Sequence, residues 1–292
     1  MVTPLRGRDE LDVSGLEKLL EHLIAGGVSG LFILGTTGEG PSLSYRLRRE
    51  LIERVCRQVG RRVPVIVNVT DTAFVELVNI SRYAAAQGAS ALAVSPPYYL
   101  PEGQPELREY LDHLVPELPL PLLLYNMPSL TKVAYDLETL RHAARIPGIV
   151  GLKDSAGNLD YFRQAVALTH ERPDWSVLLG PEEMLAEATL GGGHGGVSGG
   201  ANIFPRLYVN LFEAARDGHT QKARELQARV QQVGENLYRI GRHPSAIIKG
   251  IKCALSVLGI CDDFMAEPFH RFRAEERALV EQRLRALQRE FA

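Results

Sequence analysis

The sequence predicts an α/β fold in which eight strand–helix units close into a (β/α)8 TIM barrel with additional C-terminal helices. Short apolar runs bounded by glycine, proline or asparagine alternate with longer segments of helical period, as in repeated βα units. The runs are rich in Val, Ile and Leu without polar alternation, which is typical of strands buried on both faces. The length of 292 residues suits such a barrel as a single unit.

Seven apolar runs are predicted as barrel strands, and a short stub is predicted as the first strand. The stub covers residues 1–3, and the other predicted strands cover residues 28–35, 63–69, 89–95, 120–126, 149–154, 176–180 and 195–198. Strands usually have about five or six residues, whereas Pro4 follows the stub at once. We therefore expect either an unusually short first strand or a true start upstream.

Amphipathic segments between the strands are predicted as helices. In the segment 16–24, for example, apolar residues are spaced by three and four, which marks one helix face. After the eighth unit, three further helices are predicted at residues 220–239, 243–258 and 274–291. We expect residues 1–219 to form the barrel, and residues 220–292 to form a C-terminal helical extension packed on it as one structural unit.

The charge balance excludes proteins that depend on strong surface charge. The chain has 33 Lys and Arg against 35 Asp and Glu, a net charge of −2, so we expect neither nucleic acid nor an anionic membrane as a partner. No stretch approaches an uninterrupted membrane span, and no apolar leader follows the first residues. The expectation is a cytoplasmic protein with a small-molecule ligand.

The sequence predicts neither a metal site nor a dinucleotide site. Cys56, Cys253 and Cys261 are odd in number, widely spaced and without a CxxC pair, which argues against a disulfide framework or zinc and fits a reducing cytoplasm. The segment 191–196 formally contains GxGxxG. It follows a helical segment instead of opening one, so it is predicted as a tight turn.

A lysine at the end of an apolar run has the most informative chemistry. Lys153 lies near the carboxyl end of the predicted strand 149–154, where enzymes of this architecture place their reacting groups. Burial favours the neutral amine because the ammonium loses its hydration, and a neutral amine can form an imine with a carbonyl substrate. The alternative is a lysine whose head reaches solvent at a strand end.

Two other predicted strand ends carry polar groups that suit the same chemistry. The loop 35–40 brings the hydroxyls of Thr36 and Thr37 and several N–H groups to one strand end, where they can hold a carboxylate. Tyr125 ends another strand, either as a proton relay or as an ordinary hydrogen-bonding group. A lysine nucleophile, a tyrosine and a threonine pair together meet the requirements of carbonyl condensation or cleavage through an imine.

Several motifs carry a family resemblance. They are Gly35-Thr-Thr-Gly-Glu39, Pro97-Tyr-Tyr99, Tyr125-Asn-Met-Pro128, Gly151-Leu-Lys-Asp-Ser155 and Gly180-Pro-Glu-Glu183. In this order and at these intervals, they resemble the dihydrodipicolinate synthase and N-acetylneuraminate lyase family of pyruvate-dependent class I aldolases. The resemblance covers almost the whole chain.

The resemblance implies a role for each matching position. Lys153 would form the imine with pyruvate or another 2-oxo acid, and Tyr125 would relay protons to and from the substrate oxygen. Thr36 and Thr37, with Gly38, would bind the pyruvyl carboxylate. Thr36 would also link to Tyr125 in the relay.

The resemblance also implies an assembly and a pocket. Tyr99 would reach across a dimer interface to complete the relay, in a homotetramer built as a dimer of dimers. The backbone near Gly180 and Val197 would shape the rest of the pocket. No metal or separate cofactor is implied, because the protonated imine at Lys153 is itself the electron sink.

Departures from the family pattern bear on the substrate. Leu130 stands where the synthases have an arginine that holds the carboxylate of aspartate semialdehyde, and leucine cannot supply a charge-assisted bidentate contact. Glu182 and Glu183 resemble the acidic pair with which the lyases hold sugar hydroxyls. The lyase serine on the eighth strand, however, aligns with Gly199.

One function is preferred over three alternatives. The preferred one is a carbon–carbon lyase of the 2-keto-3-deoxy sugar-acid aldolase type, with pyruvate and an aldehyde as partners. The alternatives are a dihydrodipicolinate synthase or N-acetylneuraminate lyase-like activity, and a 2-oxo acid binder without turnover. Tyr45, Arg48 and Thr72 stand at positions through which some synthases bind lysine, so no feedback by lysine is expected.

Overall fold

The computed structural model describes residues 1–291, and a curled sheet of seven parallel strands forms its centre. The strands are β1 (Leu5–Gly7), β2 (Glu10–Leu11), β3 (Leu31–Ile33), β4 (Val65–Asn68), β5 (Ala91–Val94), β6 (Leu122–Asn126), β7 (Ile149–Asp154), β8 (Ser176–Leu179) and β9 (Gly195–Gly196). Strands β3 to β9 pair in chain order, while β1 and β2 form a separate antiparallel hairpin. The predicted α/β barrel with additional C-terminal helices is confirmed.

Helices follow the strands and cover the sheet. They are α1 (Val13–Ala25), α2 (Tyr45–Val59), α3 (Phe74–Ala86), α4 (Gln104–Leu114), α5 (Pro128–Thr131), α6 (Leu137–Ala143), α7 (Leu159–Ala167), α8 (Leu185–Leu190), α9 (Pro205–Arg216), α10 (Thr220–Val233), α11 (Ala246–Val257) and α12 (Ala274–Phe291). Several begin at a side chain that accepts hydrogen bonds from N–H groups of the first turn, such as Asp12, Ser44 and Asn158. These caps satisfy donors that have no partner within the helix.

The first three residues lie beside the sheet and do not form the predicted first strand. The amino group of Met1 donates to the carbonyl oxygen of Phe32 in β3 over 2.8 Å. The N–H of Val2 donates to the side chain of Asn202, and Pro4 has no N–H to give to a sheet. The segment therefore lies along the edge of β3 that no barrel strand pairs with, without a regular ladder of its own.

The helices after the barrel differ slightly from their predicted bounds. The segment 220–239, predicted as one helix, consists of α10 followed by a π-helical turn, Gly234–Tyr238. The predicted helix 243–258 is shorter, as α11, and α12 has the bounds predicted for it. On α10, Gln227 accepts a hydrogen bond from the N–H of Ala186 and donates to the carbonyl of Glu182, which ties the extension to the barrel.

Within residues 1–291, no helix is long and apolar enough to cross a membrane, and no group of three or more His, Cys, Asp or Glu side chains could hold a metal ion. Burial raises the pKa of Cys56 and of Cys253 to about 11 and that of Cys261 to about 12. These three thiols are therefore protonated near neutral pH and poorly reactive.

A bulge in β7 sets the register between β6 and β7. Leu122 pairs with Ile149, but the next residue, Leu123, pairs with Gly151. Val150 is the extra residue of the bulge, and such an insertion shifts the alternation of side chains along the strand. Every later residue of β7 is thus advanced by one position relative to β6.

Glycine is required at the bulge because β8 approaches closely there. Gly151 has a φ of 151°, and a Cβ atom on it would meet the backbone carbonyl oxygen of Ser176 at 2.0 Å. With Gly151 in place, the shifted register brings Lys153 directly opposite Tyr125. A backbone feature near the middle of the sheet therefore decides which side chains meet at its carboxyl end.

The replacement Gly151→Ala is expected to destabilise the protein by about 3 kcal/mol, because the new methyl group collides with backbone that cannot move cheaply. Gly88→Ala is the matched control: Gly88 also has a positive φ, 90°, but no atom lies within 4 Å of its ideal Cβ position. Gly88→Ala should lower the free energy of unfolding by only about 1 kcal/mol. Urea unfolding followed by circular dichroism measures both, and equal losses would contradict the role given to β8.

Candidate active site

Lys153 points into the barrel at the carboxyl end of β7, and only 6% of the residue is exposed. Its Nζ atom lies 3.9 Å from the centroid of the Tyr125 ring and 4.4 Å from that of the Phe32 ring. Aromatic faces attract an ammonium through their quadrupole. The lysine head is therefore held between two rings inside the barrel and does not extend to solvent.

Tyr125 joins Lys153 to the loop after β3. It lies on β6 directly opposite Lys153, and 4% of it is exposed. Its hydroxyl and the hydroxyl of Thr36 are 2.9 Å apart, a hydrogen bond in which either group can donate. Groups from three strand ends, Lys153, Tyr125 and Thr36, thus meet at one site, and a proton can pass along the two hydroxyls.

The loop 35–40 is tightly wound and strained. Leu34 and Glu39 both have positive φ values, 60° and 55°, and a left-handed conformation costs a residue with a side chain about 1–2 kcal/mol. Gly40 could carry no Cβ atom without meeting the carbonyl oxygen of Leu34 at 2.0 Å. Surrounding contacts must hold this loop, and one of them is the side chain of Asn68, which donates to the carbonyl of Leu34.

The strained loop presents unused backbone donors. Within residues 1–291, the N–H groups of Thr37 and Gly38 donate to no backbone carbonyl. The N–H of Glu39 turns back to the carbonyl of Thr36 at 3.0 Å, and the carbonyl of Gly38 accepts from the hydroxyl of Thr3. Successive N–H groups in such a turn form an anion-binding concavity, so the loop can bind a carboxylate beside Tyr125.

Phe32 is a member of the site that the sequence analysis did not single out. Its ring packs edge to face against that of Tyr125, with centroids 5.6 Å apart, and lies beneath the Lys153 amine. A Cβ atom on Gly35 would meet the Phe32 ring at 2.6 Å, so the loop and the ring fit closely. Phe32 sits within an uninterrupted apolar run, and nothing in that pattern distinguishes a site residue from a core residue.

Asn126 and Asp154 form a buried pair at the ends of β6 and β7. The Asn126 side-chain amide donates to Oδ1 of Asp154 over 2.7 Å, and the N–H of Ala156 donates to the same oxygen. The other carboxylate oxygen, Oδ2, has no hydrogen-bond partner within the described residues. Burial raises the pKa of Asp154, and the two hydrogen bonds oppose this shift in part.

Gly180 and Val197, which the resemblance assigns to the pocket wall, follow β8 and β9. The N–H of Gly180 donates to the carbonyl of Asp154, and a Cβ atom on Gly180 would meet the hydroxyl of Ser155 at 2.0 Å. Val197 continues the parallel pairing beyond β9 through its N–H to Leu179. Val197 also packs against the apolar cluster that contains Tyr125.

The carboxylate of Glu182 is hydrogen-bonded to other groups of the protein. One carboxylate oxygen accepts hydrogen bonds from the hydroxyls of Tyr208 and Tyr238, at 2.6 and 2.7 Å, and the other accepts from the N–H of Gly200 at 2.9 Å. Burial raises the pKa of Glu182, and these three hydrogen bonds oppose the shift. Tyr208 and Tyr238 were not anticipated from the sequence, because they lie on elements far from Glu182 along the chain.

The remaining predicted site residues are on the surface of the single chain. Glu183 is exposed, unlike its neighbour Glu182. Leu130, on the short helix α5, is 54% exposed, and Tyr99 is 81% exposed. Within residues 1–291, none of the three forms a hydrogen bond with Lys153, Tyr125 or Thr36. Tyr99 is free to contact another molecule.

Tyr45 and Arg48, which stand at positions through which some synthases bind lysine, form an ion-pair cluster with Asp71. Arg48 donates to Asp71 at 3.0 Å, and the hydroxyl of Tyr45 donates to the same carboxylate. The Arg48 guanidinium also lies 4.9 Å from the centroid of the Tyr45 ring. Thr72 is exposed beside this cluster. The absence of lysine feedback stays a prediction.

The fold and the site together define a class of enzyme. A buried lysine stands at the carboxyl end of a strand in an α/β barrel, with a Tyr–Thr hydrogen bond beside it and free N–H donors in the adjoining loop. These are the groups with which class I aldolases activate a carbonyl compound as an imine.

The comparison with family sequences agrees with this class. The sequence model described as the Dihydrodipicolinate synthetase family matches residues 1–287, and the chain belongs to this family. Its members are lyases, pyruvate-dependent aldolases that form a Schiff base. The family resemblance inferred from the motifs is confirmed.

Individual relatives span nearly all of the chain. It is 32% identical over 285 residues to a protein of Roseobacter denitrificans named 4-hydroxy-tetrahydrodipicolinate synthase, covering 98% of this chain and 95% of the relative. A relative of the same name from Kosmotoga olearia is 29% identical over 281 residues, covering 96% and 94%.

Solved structures of relatives have the same fold. Dihydrodipicolinate synthase from Bacteroides thetaiotaomicron superposes with a TM-score of 0.95 at 51% identity, covering 98% of this chain and 96% of that one. YagE, a prophage protein of the same family from E. coli in complex with pyruvate, superposes with a TM-score of 0.91 at 28% identity and the same coverage.

The unpartnered oxygen of Asp154 predicts a pH-dependent stability. Because the folded protein disfavours the ionised carboxylate, this group favours folding below the ordinary aspartate pKa, and the advantage is lost as pH rises through the raised pKa. Asp154→Asn keeps the acceptor for Asn126 and carries no charge at any pH. Relative to the wild type it is therefore expected to gain about 1 kcal/mol of stability between pH 4 and pH 7, because only the wild type acquires the buried charge.

Urea unfolding between about pH 4 and 7 measures this difference. The control is Asp160→Asn, since Asp160 is paired with Arg163 at the surface and its side chain is 86% exposed. The difference between Asp160→Asn and the wild type should stay small across this range. A difference between Asp154→Asn and the wild type that did not change with pH would contradict the burial argument.

Proposed function

We propose that the protein cleaves or forms a 2-keto-3-deoxy sugar-acid type of compound, with pyruvate as product or co-substrate, through an imine on Lys153. The observation that carries the proposal is the buried amine of Lys153, 3.9 Å from the ring of Tyr125, whose hydroxyl is hydrogen-bonded to Thr36. This arrangement supplies a nucleophile and a proton route at one point. A barrel that only bound a 2-oxo acid would need neither.

The chemical steps follow from these groups. The Lys153 amine attacks C2 of pyruvate, and loss of the carbonyl oxygen as water leaves a protonated imine. A proton then leaves the methyl carbon, and the electron pair passes into the imine to give an enamine. The enamine carbon bonds to the aldehyde carbon, the aldehyde oxygen takes a proton, and water hydrolyses the imine. Cleavage is the reverse sequence.

Tyr125 and Thr36 move the protons in these steps. The Tyr125 hydroxyl lies at the end of the strand opposite Lys153, and its hydrogen bond to Thr36 gives it a partner that can donate or accept. A proton can therefore leave or reach the substrate oxygen without a charged residue. We propose that no metal or separate cofactor takes part, because the protonated imine accepts the electron pair.

The strained loop supports binding of the pyruvyl carboxylate. Within residues 1–291, the N–H groups of Thr37 and Gly38 donate to no backbone carbonyl, and we propose that they bind the carboxylate together with the hydroxyls of Thr36 and Thr37. Hydrogen bonds to an ionised carboxylate are stronger than those between neutral groups. They would orient C2 of pyruvate toward the Lys153 amine.

One departure from the synthase pattern bears on the aldehyde side of the site. Leu130 occupies the position of the synthase arginine, so an aldehyde with its own carboxylate loses a bidentate contact, whereas a hydroxylated aldehyde does not require it. Of the acidic pair, Glu182 is occupied by Tyr208 and Tyr238. Exposed Glu183 is therefore the carboxylate that we propose for contact with hydroxyl groups.

The synthase reaction is the second candidate. Relatives that are about one third identical carry the name 4-hydroxy-tetrahydrodipicolinate synthase. In addition, Lys132 is the C-cap of α5, two residues after Leu130. Its Nζ donates to the carbonyl of Ser129 at 2.8 Å. A cation in the same turn could meet an aldehyde carboxylate, though only as a point charge.

We further propose a homo-oligomer in the cytoplasm, a tetramer built as a dimer of dimers. Tyr99 and the adjacent Leu100 are 81% and 76% exposed, which is unusual for large apolar side chains side by side. An interface at this place would cover them. It would also allow Tyr99 of a neighbouring copy to approach the relay of Tyr125 and Thr36.

Trapping with borohydride tests the imine. Incubation with pyruvate and borohydride should add one reduced pyruvyl group to Lys153, located by peptide mass spectrometry, and Lys153→Arg should remain unmodified. Tyr125→Phe keeps the ring beneath the amine but removes the hydroxyl. We expect it to lower turnover by about 10²–10⁴-fold. Folded wild-type protein that forms no adduct would rule out both catalytic functions.

A panel of aldehydes distinguishes the two catalytic functions. With pyruvate, the wild type should use hydroxylated aldehydes with a higher kcat/KM than aspartate semialdehyde. Leu130→Arg should raise kcat/KM for aspartate semialdehyde by about tenfold or more, because it adds a charge-assisted bidentate contact. Lys132→Ala is the control for the neighbouring cation. Efficient use of aspartate semialdehyde by the wild type, lost in Lys132→Ala, would favour the synthase.

A further inference from the structure

A buried charged pair outside the reacting groups connects the C-terminal helices to the site. Lys252 of α11 is completely buried, and its Nζ donates to Oε1 of Glu39 at 2.5 Å and to the carbonyl of Phe264 at 2.6 Å. The second carboxylate oxygen of Glu39 accepts from the N–H of Ala266 at 2.8 Å. The strained loop is thus attached to two parts of the C-terminal extension.

We propose that Glu39 and Lys252 are positioning residues that hold the loop 35–40 in the shape that binds the substrate carboxylate. On this view the C-terminal extension is part of the pyruvate-binding machinery and not only a cover for the barrel. The inference rests on the proposed function, since it gives the pair a role in binding pyruvate through Thr36 and Thr37.

The connection from the pair to the reacting groups is short. Glu39 adopts a left-handed conformation, with φ of 55°, and its N–H donates to the carbonyl of Thr36 at 3.0 Å. The Thr36 hydroxyl is in turn bonded to Tyr125. A displacement of the Glu39 carboxylate therefore changes the position of Thr36 and the direction of the free N–H groups of Thr37 and Gly38.

A buried pair of charges is not needed for stability alone. Removing both ions from water costs free energy that their attraction offsets only when geometry and additional hydrogen bonds are good, and apolar residues of similar size often serve equally well. Here one additional hydrogen bond ties Lys252 to the carbonyl of Phe264, and the other joins the loop to Ala266, 227 residues later in the chain. Such directional contacts hold a strained loop in one conformation, whereas apolar packing has no directional preference that would do so.

The test measures the half-saturating pyruvate concentration for borohydride trapping and for turnover, together with the thermal midpoint. Lys252→Met removes the cation with little change in volume, and Glu39→Gln keeps the size and the acceptor for Ala266. Leu255→Ala, on the same helix and also completely buried, is the control for destabilisation by a residue that, among residues 1–291, forms no hydrogen bond with the loop.

If the pair positions the loop, half-saturating pyruvate should rise by about 10- to 100-fold in Lys252→Met and Glu39→Gln, more than kcat falls. Leu255→Ala should keep the wild-type value below its own thermal midpoint. If Lys252→Met does not fold, Glu39→Gln alone decides the question.

Folded Lys252→Met or Glu39→Gln with a wild-type pyruvate dependence would overturn the inference and leave the proposed function intact. An equal rise of half-saturating pyruvate in all three variants would also overturn it, because lost stability alone would then explain the rise. A folded wild type that forms no adduct with pyruvate would overturn the proposed function, and this inference with it.

Discussion

The contact between Lys153 and Tyr125 depends on one backbone feature, the bulge at Val150 in β7. In a parallel pair without the extra residue, Tyr125 would stand opposite Leu152, because Leu122 pairs with Ile149. Side chains alternate between the two faces of a strand, so a shift by one residue moves each of them to the opposite face. The bulge advances β7 by one residue and brings the amine over the tyrosine ring inside the barrel.

The polar groups around this contact are held by a small number of directional bonds. Asn126 binds the carboxylate that follows Lys153 in sequence, and Asn68 binds the carbonyl of Leu34 in the strained loop. Glu39 and Lys252 hold the far end of that loop. Each bond satisfies a polar group in a region that excludes water, where an unpaired group costs most. The same bonds keep the reacting groups in a single arrangement before the substrate arrives.

The two halves of the proposed site, one for pyruvate and one for the aldehyde, differ in how closely the chain holds their side chains. On the pyruvate side, Lys153, Tyr125 and Thr36 are joined by contacts of 4 Å or less and are mostly buried. On the aldehyde side, Leu130 and Glu183 are exposed in a single chain. A rigid half that activates one common reactant, beside an open half that accepts the other, allows a fold to change its substrate by a few surface replacements.

The sequence by itself predicted most of the local elements and the candidate reacting groups. The strand β7 and the helix α12 have the predicted bounds, because the period of apolar residues along a segment is set by residues close together in the chain. Lys153, Tyr125 and Thr36 could be selected because each follows an apolar run that ends in polar residues. The first three residues were predicted as a strand, but the N–H of Val2 donates to the side chain of Asn202. Because Asn202 is far away along the chain, the local sequence could not indicate this contact.

Only the tertiary structure decided the contacts between distant residues. Phe32 lies in a run with no pattern to mark it, and its place beneath Lys153 follows from barrel closure. Glu182 resembled a residue for sugar hydroxyls, yet Tyr208 and Tyr238 occupy its carboxylate. The partners in these contacts and in the Glu39–Lys252 pair are brought together by the packing of whole helices and strands. Local periodicity carries no information about such packing.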